Sequence, residues 1–299
     1  MVADYRNIRE SRGDRIFLGF VFSFLSLVLA TIIYPLIFIV SSSFSSGQAV
    51  GAGRVWLLPV EPTLVGYATV FRNSTILVGY INSAVYTVFG TLINIFVTVL
   101  VAYPLSRKDF FGGKFIVLAL VFTMMFAGGL IPLYLTVRRV GILNTRLALL
   151  IPQALHVWQV IVARTFFAST IPDELAEAAE MDGCSDANFL WRVVLPLSKP
   201  VIAVLVLLYA VFHWNSYFDA LMYLNNPSLF PLQIVLRNIL IRNQTRDMMV
   251  VATEQVARQN LVAVLKYALI VVASAPIIAL YPFAQRHFIK GVMIGSLKG

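Results

Sequence analysis

The sequence predicts an all-α polytopic membrane protein with six transmembrane helices. Of its 299 residues, 59% are hydrophobic and only 12% are charged, and the mean hydropathy is +0.84. A soluble domain carries about a quarter of charged residues, whereas a helix needs about 20 mainly apolar residues to cross a bilayer core. The apolar runs are continuous rather than alternating, which argues against a transmembrane β-barrel.

Six apolar runs approach or reach the length of a membrane span. In chain order they are Ile16–Val40, Ser83–Leu105, Phe115–Tyr134, Leu147–Ala163, Pro200–Leu224 and Leu261–Phe283. The first run is longer than the signal-peptide core of about 7–15 residues, so we expect it to remain as a helix. Gly128, Gly129 and Pro132 predict a loosened or kinked third span, because proline removes a backbone hydrogen bond and glycine adds freedom.

The positions of the basic residues predict that both termini lie inside the cell. With that orientation, 13 of the 23 lysine and arginine residues flank the inner ends of the spans, as the positive-inside rule requires. The strongest cue is the cluster ahead of span one: Arg6, Arg9, Arg12 and Arg15. The segment 173–196 is then cytoplasmic, and the segment 225–260 is a long extracellular loop.

Charge and cysteine content exclude several other classes of protein. The net charge of +9 fits inner loops that face anionic headgroups, and with no separate basic domain it gives no reason to expect nucleic-acid binding. A single cysteine, Cys184, excludes an internal disulfide and a cysteine metal cluster. We expect one transmembrane domain over residues 1–299 and no metal site.

An acidic segment interrupts this apolar chain between Asp173 and Pro196, and it holds six of the fourteen acidic residues. Pro172 and the carboxylates after it suit the first turn of a helix. Gly183 is expected to end that helix, Ser185 to cap a second one, and Pro196 to end it. Carboxylates are too costly to place in lipid, so the sequence predicts a helix–turn–helix on the inner membrane surface.

The stretch EAAEMDGCSDANFLWRVVLP resembles the EAA loop of bacterial ABC-importer permease subunits, which implies a type I importer permease architecture. In that family the loop is the coupling helix that fits a cleft on the ATP-hydrolysing subunit. The resemblance implies that Glu177 pairs with a basic group of the ATPase and that Gly183 makes the turn. The motif positions are Glu177, Ala178, Ala179, Asp182, Gly183, Leu195 and Pro196.

Other stretches resemble the carbohydrate branch of this family, similar to the second permease of maltose-type systems. They are MMFAGGLIPLYL, WNSYFDALMYL and the tail KGVMIGSLKG. The implied partners are a second homologous permease, two ATP-binding subunits, an extracellular or periplasmic solute-binding protein, membrane lipid and an oligosaccharide. The implied location is the bacterial inner or plasma membrane. The tail, by the same resemblance, reaches between the ATPases.

The chain contains no G-x-x-x-x-G-K-[ST] phosphate-binding loop. We therefore expect it to bind no cofactor and to have no catalytic residue of its own, while its partners use ATP and magnesium.

Polar residues inside the spans mark either helix packing or a transport path. A stripe on span two includes Asn94 and favours packing, with a path as the alternative. Spans four and five carry amide, aromatic and carboxylate groups of the kind that bind sugars. The candidate path residues are Asn94, Gln153, His156, Tyr209, His213, Asn215, Tyr217 and Asp219.

The resemblance to this branch, some members of which carry oligosaccharides with uronic acid residues, implies an oligosaccharide substrate, possible acidic examples being alginate or other uronate oligomers. The parts of the chain outside the inner segments carry ten basic and four acidic residues, and a positive entrance attracts anions. Two alternatives stay open: an ABC permease for a non-sugar solute, and an ion-coupled secondary transporter, although no internal repeat favours the latter.

Overall fold

The computed structural model describes residues 11–246 and 252–296. Arg6 and Arg9 of the basic cluster, Asp247 of the predicted outer loop and residues 297–299 of the tail lie outside the described residues. Within the described part of the chain the regular structure is entirely helical.

Two compact units make up the described chain. One takes its residues from Met1–Arg72 and Thr245–Val272, and the other from Asn73–Gln244 and Ala273–Gly299. The long last helix, α15, runs from Ala252 to Ser296 and therefore supplies residues to both units.

The first unit begins with a long apolar helix. Its helices are α1 (Arg12–Ser43), α2 (Gly47–Gly51) and α3 (Val65–Arg72). Ser11 starts α1 in a capping box, in which its hydroxyl accepts from the Asp14 amide and its own amide donates to the Asp14 carboxylate. Such a box satisfies two first-turn donors. The apolar side chains of α1 are largely exposed, as expected for a helix surrounded by lipid.

A serine-rich segment at the end of α1 packs the first unit. The Ser41 hydroxyl donates to the Leu57 carbonyl at 2.6 Å, and the Ser45 hydroxyl accepts from the Val60 amide at 3.0 Å. Both serines are buried. Buried hydroxyls need such partners, so these bonds fix the chain that returns after α1.

The second unit contains most of the helices. They are α4 (Ser74–Ser106), α5 (Gly113–Met125), α6 (Leu130–Arg139), α7 (Leu147–Leu150), α8 (Val157–Thr170), α9 (Asp173–Met181), α10 (Asp186–Phe189), α11 (Leu195–Leu197), α12 (Lys199–Trp214), α13 (Phe218–Tyr223) and α14 (Leu232–Arg246). A π-helical turn covers Leu190–Val194, and a 3₁₀ turn covers Pro227–Leu229. The predicted outer loop, 225–260, is therefore partly helical.

Three described segments are long and apolar enough to cross a membrane: Arg12–Ser43, Ser74–Ser106 and Asn260–Pro282. They correspond to predicted spans one, two and six. The predicted third span is two helices whose axes differ by 113°. Gly129 precedes the second of them with φ +85°, so the break falls where the glycines predicted a bend.

The predictions of continuous fourth and fifth spans were wrong. Residues 151–156 separate α7 from α8, and Pro152 within them lacks the amide that a continuous helix would need. The fifth span stops at Trp214 and resumes only at Phe218. Counting bent helix pairs as single spans raises the number of candidate spans in the described chain from three to five.

The centre of the second unit is the packing of α4 against α8 and α12. The polar stripe predicted on span two faces this contact, since Ser83, Asn94 and Thr98 are completely buried. These residues of the stripe therefore pack between helices. At Gly90 the α12 ring of His213 comes so close that an added Cβ would overlap it, so glycine permits this helix crossing.

Candidate coupling loop and translocation path

The acidic segment forms the predicted helix–turn–helix. Asp173 and Glu174 lie in the first turn of α9, where negative charge is favoured by the helix dipole. Pro172 stands at the N-cap rather than inside the first turn, with extended backbone. The helix ends at Gly183, whose φ of +73° is a left-handed conformation that glycine adopts without strain.

The second helical arm of this loop, which starts with α10, is capped by Ser185, whose hydroxyl accepts from the Asn188 amide at 3.4 Å. Phe189, Leu190 and Val194 are buried on its inner face. The expectation that Pro196 ends this arm was wrong, because helical structure continues to Leu197 and the chain bends by 83° into α12. A π turn precedes the proline. In it the Leu195 amide donates to the Leu190 carbonyl, and Pro196, the next residue, has no amide to donate.

The motif residues divide between an outer and an inner side of the loop. Glu177, Ala178, Asp182, Gly183 and Pro196 are exposed, while Ala179 and Leu195 are half-buried and pack toward the core. The Glu177 carboxylate has no ion pair among the described residues. The exposed set is therefore open to a partner, and the half-buried set joins the loop to the bundle.

Two basic residues after α4 hold the start of α9. The Lys108 ammonium lies 2.9 Å from one oxygen of Asp173, and the Arg107 guanidinium lies 3.4 Å from the other. The hydrogen bond with Lys108 holds the pKa of Asp173 below its usual value, and the same contact raises the pKa of Lys108. The sequence did not predict these ion pairs, because no local pattern shows which loop contacts the acidic segment.

Arg164 reinforces the same region from α8. Its Nε donates to the Leu105 carbonyl at the end of α4 at 2.8 Å. A helix end leaves carbonyls without intrahelical donors, and Arg164 satisfies one of them. Arg164 therefore connects α8 to the end of α4.

The candidate path residues fall into two groups, of which the first is buried in helix contacts. The Asn94 amide donates to the Gln153 carbonyl at 2.5 Å, and its oxygen lies 2.6 Å from Nε2 of His213. The Tyr209 and Thr98 hydroxyls are 2.6 Å apart. Asn94, Tyr209 and His213 are almost fully buried, so the structure places them between helices rather than on a cavity wall.

His156 also has a packing environment. It lies in the non-helical segment before α8, and its ring is 4.6 Å from Phe212 and 5.6 Å from Tyr209. Gln153 occupies the same non-helical segment, so neither Gln153 nor His156 lies on a helix as the predicted fourth span implied. Within the described residues no cluster of three or more histidine, cysteine or carboxylate groups could hold a metal ion.

The second group surrounds a cavity of about 500 Å³ at the break between α12 and α13. Its wall includes Gln153, Asn215, Tyr217 and Asp219. The Gln153 amide donates to the Asp219 carboxylate at 2.9 Å. The broken helix turns these polar groups toward one space, which a continuous helix would have divided between two faces.

One side of α14 lies beside this cavity, which sequence reasoning did not predict. The Gln233 amide donates to the Asn215 side-chain oxygen at 3.4 Å, and the Arg237 guanidinium lies 6.0 Å from the Tyr217 ring centre. These two residues are four apart and so share a helix face. The cavity edge thus combines amide, phenol, carboxylate and guanidinium groups.

Broken helices around a polar cavity, with an anchored acidic loop at one end of the bundle, define a membrane permease. The chain matches the family described as "Binding-protein-dependent transport system inner membrane component" over residues 2–294, and it belongs to that family. Members of this family are membrane components of ABC transporters without an ATPase site of their own.

Three similar proteins illustrate the relationship. Protein LplC of Bacillus subtilis is 38% identical and covers 100% of both chains. The polygalacturonan/rhamnogalacturonan transport system permease protein YtcP of the same organism is 36% identical over 96% of this chain and 99% of that protein. A solved structure is described as a bacterial ABC transporter involved in the import of the acidic polysaccharide alginate. It shares 35% identity with a TM-score of 0.86, covering 94% of this chain and 100% of that one.

Proposed function

We propose that this chain is one of two permease subunits of a bacterial ABC importer for an oligosaccharide. The single observation that carries the coupling role is the acidic helix–turn–helix, whose motif carboxylate Glu177 is exposed while its first turn is held by Lys108 and Arg107. An exposed helix fixed at its base transmits movement as a rigid body. Two ATP-binding subunits, a second permease and a solute-binding protein complete the assembly.

The proposed topology has six spans with both termini inside. The bent pair α5–α6 forms one span, α12 with α13 forms another across the break at Asn215, and α7 with α8 forms a third around the non-helical segment at Gln153. Irregular backbone inside a membrane requires protein or a water-filled cavity around it. The cavity beside Gln153 supports this arrangement.

Transport follows alternating access. ATP and magnesium act on the partner subunits, whose closure moves the coupling helix and opens the cavity outward to receive the sugar. Gln153, Asn215, Tyr217 and Asp219 contact the sugar, through hydrogen bonds and the face of the tyrosine ring. Nucleotide shifts the equilibrium only because it binds the two states with different affinity.

An acidic oligosaccharide is the favoured substrate, and a neutral sugar or a non-sugar solute is the alternative. YtcP and the alginate importer support the acidic substrate through what their descriptions say of them. Arg237 at the cavity edge supplies a positive charge of the kind that pairs with carboxylates. A thermal-shift screen of the cognate binding protein should show tighter binding of uronate oligomers than of neutral glucans. The opposite order would contradict this assignment.

The coupling role is tested by reversing one charge. Glu177→Lys should leave the chain in the membrane but uncouple uptake from ATP hydrolysis in vesicles, because the proposed basic partner on the ATPase would be repelled. Glu180→Lys is the matched control, since Glu180 lies on the same helix outside the motif positions and lines a cavity with Tyr103 and Phe189. Normal transport by Glu177→Lys would refute the charge pairing.

The turn is tested separately at Gly183. No atom lies within 4 Å of a Cβ built there, so the constraint is the left-handed backbone alone. Gly183→Val should weaken co-purification of the ATPase, whereas Gly183→Asn should retain it, because asparagine tolerates this conformation. Equal co-purification of both variants and the wild type would show that the turn is not required.

A further inference from the structure

A second cavity, of about 610 Å³, lies where four helix ends of the second unit meet. The end of α4, the start of α5, the end of α8 and the start of α9 contribute its walls. This volume falls within the range of about 300–1,000 Å³ that small-molecule sites occupy. The cavity is separate from the space at the α12–α13 break.

The charges around this second cavity are mainly positive. Four cations line it, Arg107, Lys108, Lys114 and Arg164, and only two carboxylates oppose them, Asp173 and Glu174. Both Arg107 and Lys108 contact the single carboxylate of Asp173, and Arg107 alone also lies near Asp109, at 3.7 Å. Lys114 has no ion pair within the described chain.

The side chains near the second cavity are of the kinds that are found at the level of lipid headgroups. The apolar spans α4 and α5 end and begin beside it. Phe110, which lines the cavity, is 41% exposed, and Phe111 and Phe115, close to it in the chain, are 99% and 74% exposed. Exposed aromatic and basic residues together are typical of the boundary between the hydrocarbon core and water. Lysine and arginine side chains at such a boundary can reach lipid phosphates.

We propose that this second cavity binds the headgroup of an anionic phospholipid, whose phosphate is held by Lys108, Lys114 and Arg164. Basic pockets between spans on the cytoplasmic side recognise such headgroups. The excess of two positive charges is complementary to the phosphate, and the neighbouring exposed phenylalanines contact its acyl chains.

Asp173 gives the site a link to the coupling helix. The phosphate and the Asp173 carboxylate attract the same ammonium group of Lys108, which is 2.9 Å from that carboxylate in the structure. Bound lipid therefore weakens the hold of Lys108 on the first turn of α9. Removing the carboxylate should strengthen lipid binding, whereas removing the cations should weaken it.

The experiment uses the full chain within its assembled importer, purified in detergent and titrated with phosphatidylglycerol or phosphatidylcholine. Native mass spectrometry counts the lipids retained by each assembly. The wild type should retain more phosphatidylglycerol, and Lys108→Gln with Lys114→Gln should lower its affinity by about fivefold for each cation removed, the equivalent of about 1 kcal/mol each. Asp173→Asn should raise it.

Lys199→Gln is the matched control, because Lys199 is an exposed lysine at the start of α12 that does not line the second cavity. It should retain phosphatidylglycerol as the wild type does. The charge-preserving pair Lys108→Arg and Lys114→Arg should also retain it, which separates lost charge from misfolding.

Three results would overturn the proposal. Equal retention of the two lipids by the wild type would exclude a preference for an anionic headgroup. A similar loss of phosphatidylglycerol in Lys199→Gln would indicate a general attraction of lipid to the basic surface. If the Lys108 and Lys114 variant lost ATPase subunits but kept its lipid, the cations would be part of a protein contact. A further experiment adds soluble glycerol phosphate at the same concentration as phosphatidylglycerol. Full displacement of the lipid under these conditions would assign the site to a free phosphate compound.

Discussion

The contact between α4 and α12 at Gly90 yields a prediction with a magnitude. A Cβ added to Gly90 would lie 2.5 Å from Cε1 and 2.6 Å from Cδ2 of His213. The ring must then move and give up its 2.6 Å hydrogen bond with Asn94. Overpacking costs about 1–3 kcal/mol, and a buried polar group left unpaired costs about 1–3 kcal/mol. Alanine recovers about 1 kcal/mol of helix propensity, so Gly90→Ala should destabilise the bundle by about 1–5 kcal/mol.

Thermal unfolding of the purified permease measures this effect, with a shift of about 2–4 °C for each kcal/mol expected by analogy with domains of 150–250 residues. Gly19→Ala is the matched control, because Gly19 lies within α1 and no atom is within 4 Å of its Cβ position. That variant should be as stable as the wild type or slightly more stable. If Gly90→Ala unfolds at the same temperature as Gly19→Ala, the close approach of the two helices is wrong.

Two further predictions concern the loops. Asn144 has a left-handed backbone with φ +57° and accepts from the amides of Asn225 and Asn226 at 2.9 and 2.8 Å. Asn144→Ala should therefore lower the free energy of unfolding by about 2–4 kcal/mol, because two hydrogen bonds are lost and the left-handed backbone is strained. Thermal unfolding measures this, and a stable alanine variant beside an unstable Asn144→Asp variant would contradict it. Because the pKa of Asp173 is lowered from 3.8 and that of Lys108 is raised from 10.5, their pairing should weaken only as the pH falls below about 4 or rises above about 10.5. Hydrogen exchange at the start of α9, corrected for intrinsic rates, should show constant protection between those limits, and a transition near pH 6 would refute the pairing.

Hydropathy alone could predict the three long helices, because uninterrupted apolar sequence has no other stable arrangement in lipid. The break at Gly129 was predictable from residue type, since two glycines a few residues before Pro132 mark a weak point in a helix. The fourth and fifth spans could not be resolved in this way. Pro152 and Asn215 interrupt apolar runs without changing their average hydropathy, so only the helix hydrogen bonds reveal the breaks.

The candidate site was predictable to the extent that its groups are local in sequence. The turn at Gly183 and the cap at Ser185 follow from nearby residues, and the structure contains both. The Lys108–Asp173 pair and the Asn94–His213 pair join residues far apart in the chain. No pattern in the sequence distinguished a buried Asn94 from one on a cavity wall, because both environments favour an amide on a helix face.

The central claim is that an ATP-hydrolysing subunit contacts the exposed face of α9, and site-directed cross-linking tests it most directly. The single cysteine would first be replaced by Cys184→Ser, and a new one introduced by Ala178→Cys in the assembled importer. The account predicts a cross-link to the ATPase at position 178 that changes with bound nucleotide. Val140→Cys, at the end of α6, serves as the control because Val140 is also exposed and the proposed topology places it outside. A cross-link at position 140 but none at position 178 would contradict the account.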